Sequence, residues 1–319
     1  MTSPPTLAIH GGAGTLRRRD MTAEREAAYH GGLGAALAAG WAVLAGTGSA
    51  LDAVTEAVKA LEDDPLFNAG RGSVFTSAGG HEMDAAIMDG RDKRAGAVAG
   101  ICGPRHPILA ARAVMETSPH VLLAGEGARQ FCRDAGLEHV AADWFHTEAR
   151  WQALQDELGR RSQGLADGGD DEARRHGTVG AVALDGRGNL AAATSTGGMT
   201  GKAAGRVGDS PIIGAGTWAD NATCAVSATG HGEYFIRYAV AHEIASRLAW
   251  AGQCLDDACR QVVDDALQPV GGSGGLVAID RRGAVCLRFN CAGMYRGFVQ
   301  ADGRLHTAIY REPFRLAVR

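Results

Sequence analysis

A glycine followed by a threonine, Gly177-Thr178, stands where a polar stretch gives way to an apolar one. Arg160 to His176 reads RRSQGLADGGDDEARRH, rich in charge and glycine, and Val179 to Asp185 reads VGAVALD, a run suited to the middle of a sheet. A hydroxyl at the mouth of a core strand, behind a cleavable segment, is what a self-processing nucleophile requires. Gly177 offers a carbonyl with no side chain in the way and tolerates strained backbone angles. Once the bond breaks, Thr178 carries a free α-amine beside its own hydroxyl, so nucleophile and base share one residue. Such an amine titrates at about 7.7–8 and can accept a proton near neutrality. Taken alone, the junction is explained at least as well by a plain linker leading into a strand.

Arg206 and Asp209 lie three residues apart in the glycine-broken loop GRVGDSP. Opposite charges at this spacing can simply pair on the surface. They can also divide the two ends of a zwitterionic amino-acid head, with a planar guanidinium on the α-carboxylate and a carboxylate on the α-ammonium. Other patterns carry less. Gly271 to Gly275, GGSGG, satisfies G-x-S-x-G only because it is nearly all glycine. Thr196 to Ala203 ends in Gly-Lys like a phosphate loop but lacks the first glycine and a hydroxyl residue after Lys202. No H-E-x-x-H or paired Cys/His spacing points to zinc, so no cofactor is expected for catalysis.

These residues need a scaffold, and 319 residues with 45% hydrophobic content can bury a large core. Leu7 to His10 reads as a short buried strand, followed by helices from about Asp20 to Ala45 and Ser49 to Leu61. Ser49 and Asp52 form a capping-box-like start, and Leu51, Val54, Val58 and Leu61 share one face. Strands are predicted at Met83–Met88 and Ala95–Ile101, and helices at Pro107–Glu116 and Gly125–Ala135. Beyond Thr178 come two hairpins, Val179–Leu184 with Leu190–Ser195 and Leu276–Asp280 with Ala284–Phe289. Helices over about Gly232–Trp250 and Leu255–Leu267 separate them. Elements thus come in blocks instead of strict alternation, which argues for an α+β fold.

Net charge is −4 and the three lysines, Lys59, Lys93 and Lys202, are scattered, so nucleic acid is not an expected partner. The apolar run Gly31 to Val54 contains glycines and Asp52 and reads as packed helices, not a membrane span. MTSPPTLAIHGG lacks the charge pattern of a secretory signal, and seven cysteines without C-x-x-C suit reduced thiols, so a cytoplasmic location is expected.

Five segments in order sharpen the reading: HGGAG (His10 to Gly14), DPLFNAGRGSVFT (Asp64 to Thr76), HGTVGAVALD around Thr178, TSTGGMTGKAAGRVGDSPIIGAGTWADNATC (Thr194 to Cys224) and SATGHGEYFIR (Ser227 to Arg237). Together they closely resemble the plant-type L-asparaginases and isoaspartyl peptidases, a branch of the N-terminal nucleophile hydrolases. The resemblance runs from about His10 to about Gly297 and lapses only over Arg150 to Arg175. It implies a four-layer αββα sandwich made as a precursor. An α fragment (1–177, with a disposable linker over about 150–177) and a β fragment (178–319) would form by cleavage between Gly177 and Thr178, and two copies of each would assemble. It further implies Thr178 as nucleophile, Thr196 as the hydroxyl that orients it, and Arg206 and Asp209 as the substrate clamp. Thr229 and Gly230 would form the oxyanion hole, and Asn68 would hydrogen-bond near it. His231 would be a pocket wall without catalytic use.

A structural sodium ion is implied in the loop Leu61 to Arg71, held by the backbone carbonyls of Leu61, Glu62, Asp64, Phe67, Ala69 and Arg71. The implied activity is hydrolysis of L-asparagine and of the isopeptide bond in β-aspartyl dipeptides. Two alternatives stand beside it: a glycosylasparaginase-like amidase, and a scaffold that binds amino acids without turnover. Against the family pattern, Cys291 replaces a usual threonine or serine, and Ala203-Ala204 replaces a segment that often holds proline.

Overall fold

The computed structural model describes residues 4–14, 16–164 and 177–317. The first half contains β1 (Thr6–Gly14), α1 (Ala23–Ala45), α2 (Ala50–Asp63), β2 (Met83–Asp89), β3 (Ala95–Ile101), α3 (Pro107–Thr117), β4 (Leu122–Ala124), α4 (Gly125–Asp134) and α5 (Glu148–Ser162). After Thr178 come β5 (Val179–Leu184), β6 (Leu190–Thr196), β7 (Thr217–Ala219), β8 (Cys224–Gly230), α6 (Gly232–Arg237), α7 (Val240–Trp250) and α8 (Leu255–Arg260). The chain closes with β9 (Gly274–Asp280), β10 (Val285–Phe289), β11 (Gly293–Val299), β12 (His306–Ala308) and β13 (Arg315–Leu316).

Nine strands form one sheet in the order β13-β12-β11-β1-β5-β6-β2-β3-β4, and four form a second, β10-β9-β8-β7. All neighbours are antiparallel except β3 and β4. The alternation of side chains along each strand sorts the core into layers. Leu7 and Ile9 of β1, with Val179, Ala181 and Ala183 of β5, pack on the helical layer of α1 to α4. Their neighbours Ala8, Val182 and Leu184 face the second sheet through Ala225, Val277 and Ile279. The opposite face of that sheet, Val226, Ala228 and Leu276, is covered by α7 and α8. The αββα sandwich is the result, and β5 lies inside it with both faces buried.

Most elements fall where the residue pattern puts them. At the start of α2, the Ser49 hydroxyl accepts from the Asp52 N–H at 3.1 Å and donates to the Asp52 carboxylate at 2.6 Å. Two stretches differ. The helix expected over Gly232–Trp250 is broken where Ala239 takes a left-handed φ of 46°. Residues from about 150, expected to belong to a linker, are helical through Ser162, because Thr147 caps α5 and Leu154 and Glu157 are buried beneath it. The remainder of the expected linker, 165–176, lies outside the described residues. None of the helices described is long and apolar enough to cross a membrane, and no two cysteines are bonded.

Candidate active site

The ends of three strands and a bulge converge on Thr178. It precedes β5, whose Val179 pairs with Ser195 and whose Gly180 pairs with His10. Register in β1 slips between His10 and Gly12. At Gly12, φ is 111°, and a Cβ there would lie 3.1 Å from the Gly177 Cα and 3.3 Å from the Thr178 nitrogen. Only glycine lets β1 pass this close to the Gly177-Thr178 bond.

The Thr178 hydroxyl is buried and donates to the Thr196 hydroxyl at 3.1 Å. Thr196 donates in turn to the Gly177 carbonyl at 2.9 Å, and Asn68 Nδ2 donates to the same oxygen at 2.8 Å. Asn68 is fixed by accepting from the Val74 N–H at 2.9 Å and by donating to the Gly198 carbonyl at 2.7 Å. The bond at the junction therefore has a hydroxyl next to it and two donors on its carbonyl oxygen. Such an array stabilises negative charge developing on that oxygen. Thr229, at the end of β8, is buried and accepts from the Ala13 N–H at 3.3 Å, which leaves its own proton to donate elsewhere.

Gly177, Thr178, Thr196, Arg206, Asp209 and Gly230 line one narrow cleft of about 10 Å³, room for about one water. Arg206 and Asp209 are not paired with each other. Arg206 donates through Nε and Nη2 to the two carboxylate oxygens of Glu233, both at 3.0 Å, and its Nη1 is turned toward Gly208. The two-bond fork expected for a substrate carboxylate is thus already engaged by Glu233, which holds the guanidinium plane at the cleft wall. Asp209 is buried, and its Oδ2 has no hydrogen-bond partner among the described residues. Burial pushes its carboxyl up to about 7. A buried carboxylate oxygen with an unmet acceptor, opposite an anchored guanidinium, is a receptor for a group that brings its own N–H donors. His231 stands aside, half-buried, with Nε2 3.4 Å from Glu233 and its ring edge-on to Tyr234.

Asp209 supplies a prediction of its own. From about pH 4 to pH 7 the folded chain binds one more proton here than the unfolded chain, so stability falls as pH rises through that window. Asp209→Asn should therefore raise stability at pH 8, by as much as about 4 kcal/mol, while lowering activity more than about tenfold. Melting curves at pH 4 and pH 8 check this. A stability gain equal at both pH values would show that the carboxyl does not titrate between them.

The residue pattern pointed to Asn68, Gly177, Thr178, Thr196, Arg206, Asp209 and Gly230, which the fold brings together, and to Thr229 just behind them. It missed a polar seam. His10 is fully buried with Nδ1 2.9 Å from the Thr178 carbonyl and Nε2 2.9 Å from the Ser227 hydroxyl. A carbonyl only accepts, so Nδ1 carries the proton and Nε2 accepts from Ser227. Thr194 then donates to Ser227 at 2.7 Å, and Thr217 donates to Thr194 at 2.7 Å. Burial drives the His10 imidazole down to about 3, so it stays neutral. The available signal was a polar residue at inward positions of otherwise apolar strands: Thr194 on β6 and Ser227 on β8.

In the loop Leu61 to Arg71, where the ion is implied, the carbonyls of Asp64, Phe67 and Ala69 accept backbone hydrogen bonds from Phe67, Ala69 and Gly72. Leu61 and Glu62 lie in the last turn of α2, where carbonyls lack intrahelical partners. A Cβ at Gly70, whose φ is 50°, would collide with the Glu62 carbonyl, and one at Gly72 with the carbonyls of Pro65 and Phe67. The two glycines let the backbone pack this close to those oxygens, and carbonyl oxygen is the donor type that suits a hard cation.

Fold and family together define the class, an N-terminal nucleophile hydrolase. The chain belongs to the family described as Asparaginase, which matches residues 3–309. It is 52% identical over 308 residues to the isoaspartyl peptidase of Salmonella typhimurium, covering 96% of this chain and 98% of that protein. It is 52% identical over 311 residues to the isoaspartyl peptidase of Escherichia coli, covering 96% of each. The human isoaspartyl peptidase/L-asparaginase is 40% identical over 306 residues, again covering 96% of each chain.

Proposed function

We propose that this chain cuts itself between Gly177 and Thr178 and then hydrolyses L-asparagine and β-aspartyl dipeptides through Thr178. The observation that carries the reading is the Gly177 carbonyl, held by Asn68 and Thr196 while the Thr178 hydroxyl bonds to Thr196. In the first reaction the Thr178 oxygen attacks the Gly177 carbonyl carbon. The Thr178 nitrogen leaves as an amine, taking up the hydroxyl proton. Water opens the resulting ester to give a Gly177 carboxylate and a free N-terminal threonine. Asn68 and Thr196 stabilise the oxyanion in that step.

Cleavage removes the carbonyl that closes the cleft. The α-carboxylate of the substrate then meets Arg206, and its α-ammonium meets Asp209. The freed amine of Thr178 takes the proton of its own hydroxyl as the oxygen attacks the side-chain amide carbon. Thr229 and Gly230 donate to the oxyanion, and the amine proton passes to the leaving nitrogen. A β-aspartyl ester of Thr178 remains, and water activated by the same amine returns aspartate.

A sodium ion held by the carbonyls of Leu61, Glu62, Asp64, Phe67, Ala69 and Arg71 would fix the loop that carries Asn68. We place the matured enzyme in the cytoplasm as a pairing of two α and two β fragments. Incubating matured protein separately with asparagine, β-Asp-Leu and sugar-linked asparagine, and measuring aspartate, tests the reading. Aspartate is expected from the first two. Release from the sugar-linked substrate alone would make it a glycosylasparaginase, and none from any substrate would make it a binding scaffold.

A further inference from the structure

One stretch of chain carries both ends of the site. Thr196 opens it, and Arg206 and Asp209 close it. The residues between, 197–205, lie outside every helix and strand and include Gly197, Gly198, Gly201 and Gly205. Glycine at such density gives the backbone little stiffness of its own, so the spacing of clamp and nucleophile must be set by other elements. The start of β2 sets it.

Lys202 turns inward, and its buried ammonium donates to the Glu82 carbonyl at 2.6 Å and stands 4.0 Å from the Asp84 carboxylate. Asp84 lies directly across from Thr196 in the pairing of β2 with β6. Burial raises the Asp84 carboxyl and lowers the Lys202 ammonium, so each charge leans on the other. Farther along, the Gly205 N–H donates to the Glu82 carboxylate at 2.8 Å. Glu82 thus receives the loop twice, at Lys202 and at the residue before Arg206. The Lys202 stem also passes under Gly198, where φ is 83° and a Cβ would lie 2.8 Å from the Lys202 Cδ and 2.9 Å from its Nζ. Asn68 and Thr196 are both fastened to Gly198. Its carbonyl accepts from Asn68 at 2.7 Å, and its N–H donates to the Thr196 hydroxyl at 2.9 Å.

We propose that Glu82 and Lys202 are positioning residues that brace this loop at its two working ends. Glu82, through Gly205, holds the backbone of Arg206 at the place where the clamp meets a substrate carboxylate. Lys202, through Gly198, holds Asn68 and Thr196 on the Gly177 carbonyl. The inference rests on the reading of Thr178 as nucleophile and Arg206 as clamp, and it adds what keeps the two in register. Glu233 aligns the guanidinium plane but lies beyond the loop, so it cannot fix where the loop brings that guanidinium. Neither Glu82 nor Lys202 lines the cleft of Thr178, Arg206 and Asp209.

The test takes wild type, Glu82→Ala, Glu82→Gln and Lys202→Met through two measurements. One is the rate at which uncut chain disappears on a gel, and the other is kcat and KM for asparagine on matured protein. Glu82→Ala should raise KM by about three- to tenfold with kcat nearly unchanged, as expected when a hydrogen bond that serves binding is lost. Its self-cleavage should keep the wild-type rate, because Gly198 retains its support. Glu82→Gln keeps an acceptor for the Gly205 N–H and should recover most of the affinity. Lys202→Met lets the stem withdraw from Gly198 and should slow self-cleavage by about tenfold or more. Glu82 is half-buried, so its two variants decide the matter even where Lys202→Met, which strands Asp84, fails to fold. An unchanged KM in Glu82→Ala, an equal loss in Glu82→Gln, or self-cleavage slowed as much as KM is raised would each overturn the brace and leave the catalytic reading intact. Self-cleavage at the wild-type rate in folded Lys202→Met would remove Lys202 from it. An uncut wild type that releases no aspartate would overturn the catalytic reading and the brace with it.

Discussion

Thr178→Ala is expected to leave the purified protein as a single chain of 319 residues, whereas the wild type yields two fragments, the second beginning at Thr178. The variant loses the hydroxyl oxygen that follows the Gly177 carbonyl and would form the ester, so both the self-cleavage and the hydrolytic activity should vanish. Folding should survive, because among the described residues the lost hydroxyl makes one hydrogen bond, to Thr196, worth about 0.5–1.5 kcal/mol. Thr178→Ser keeps the oxygen and should still cleave. A gel with N-terminal sequencing reads all three outcomes. Efficient cutting of the alanine variant would remove Thr178 from the mechanism. Activity in an uncut chain would also contradict the structure, since a cleft of about 10 Å³ cannot admit an amino acid while Gly177 remains in place.

The second large effect concerns which aspartyl linkage is accepted. β-Asp-Leu should be cleaved at least as well as asparagine, and α-Asp-Leu not at all. In the proposed clamp, Arg206 and Asp209 would together require a free α-carboxylate and a free α-ammonium on one carbon. In the α-linked dipeptide that carboxylate has become the amide, so Arg206 would keep only Glu233 and gain no charged contact from the substrate. Sites built around such groups discriminate strongly. Arg206→Lys should reduce kcat/KM for asparagine by more than about tenfold, the equivalent of about 1.5–3 kcal/mol for a charged hydrogen bond. Lysine keeps the charge but cannot match the two bonds by which Glu233 aligns the guanidinium plane. Maturation should persist, because Arg206 makes no contact with the Gly177 carbonyl. Turnover of α-Asp-Leu would refute the clamp.

Much of this site was legible in the chain because its chemistry is local. A glycine before a threonine at the start of an apolar run is one short segment, and so is an arginine three residues from an aspartate in a glycine loop. Apolar runs flanking a glycine-rich turn located β5 and β6, and the Ser49 hydroxyl located the start of α2, because backbone geometry follows from neighbours a few residues apart.

What only the tertiary structure decided is every relation that depends on strands distant in sequence. Local spacing left Arg206 free to pair with Asp209, but folding places Glu233 against Arg206 and leaves Asp209 buried with an unmet acceptor. His10 had no legible partner until β1 came beside β5 and β8 crossed beneath, closing the seam from the Thr178 carbonyl to Ser227 and Thr194. The helix over Glu148–Ser162 was hidden by its charge, since only packing of Leu154 and Glu157 against the body gives a polar segment a buried face. Composition and motif determined which groups this protein can use. Sheet order and register decided which of them meet, because hydrogen-bonded pairing across a sheet brings together residues that the chain itself keeps far apart.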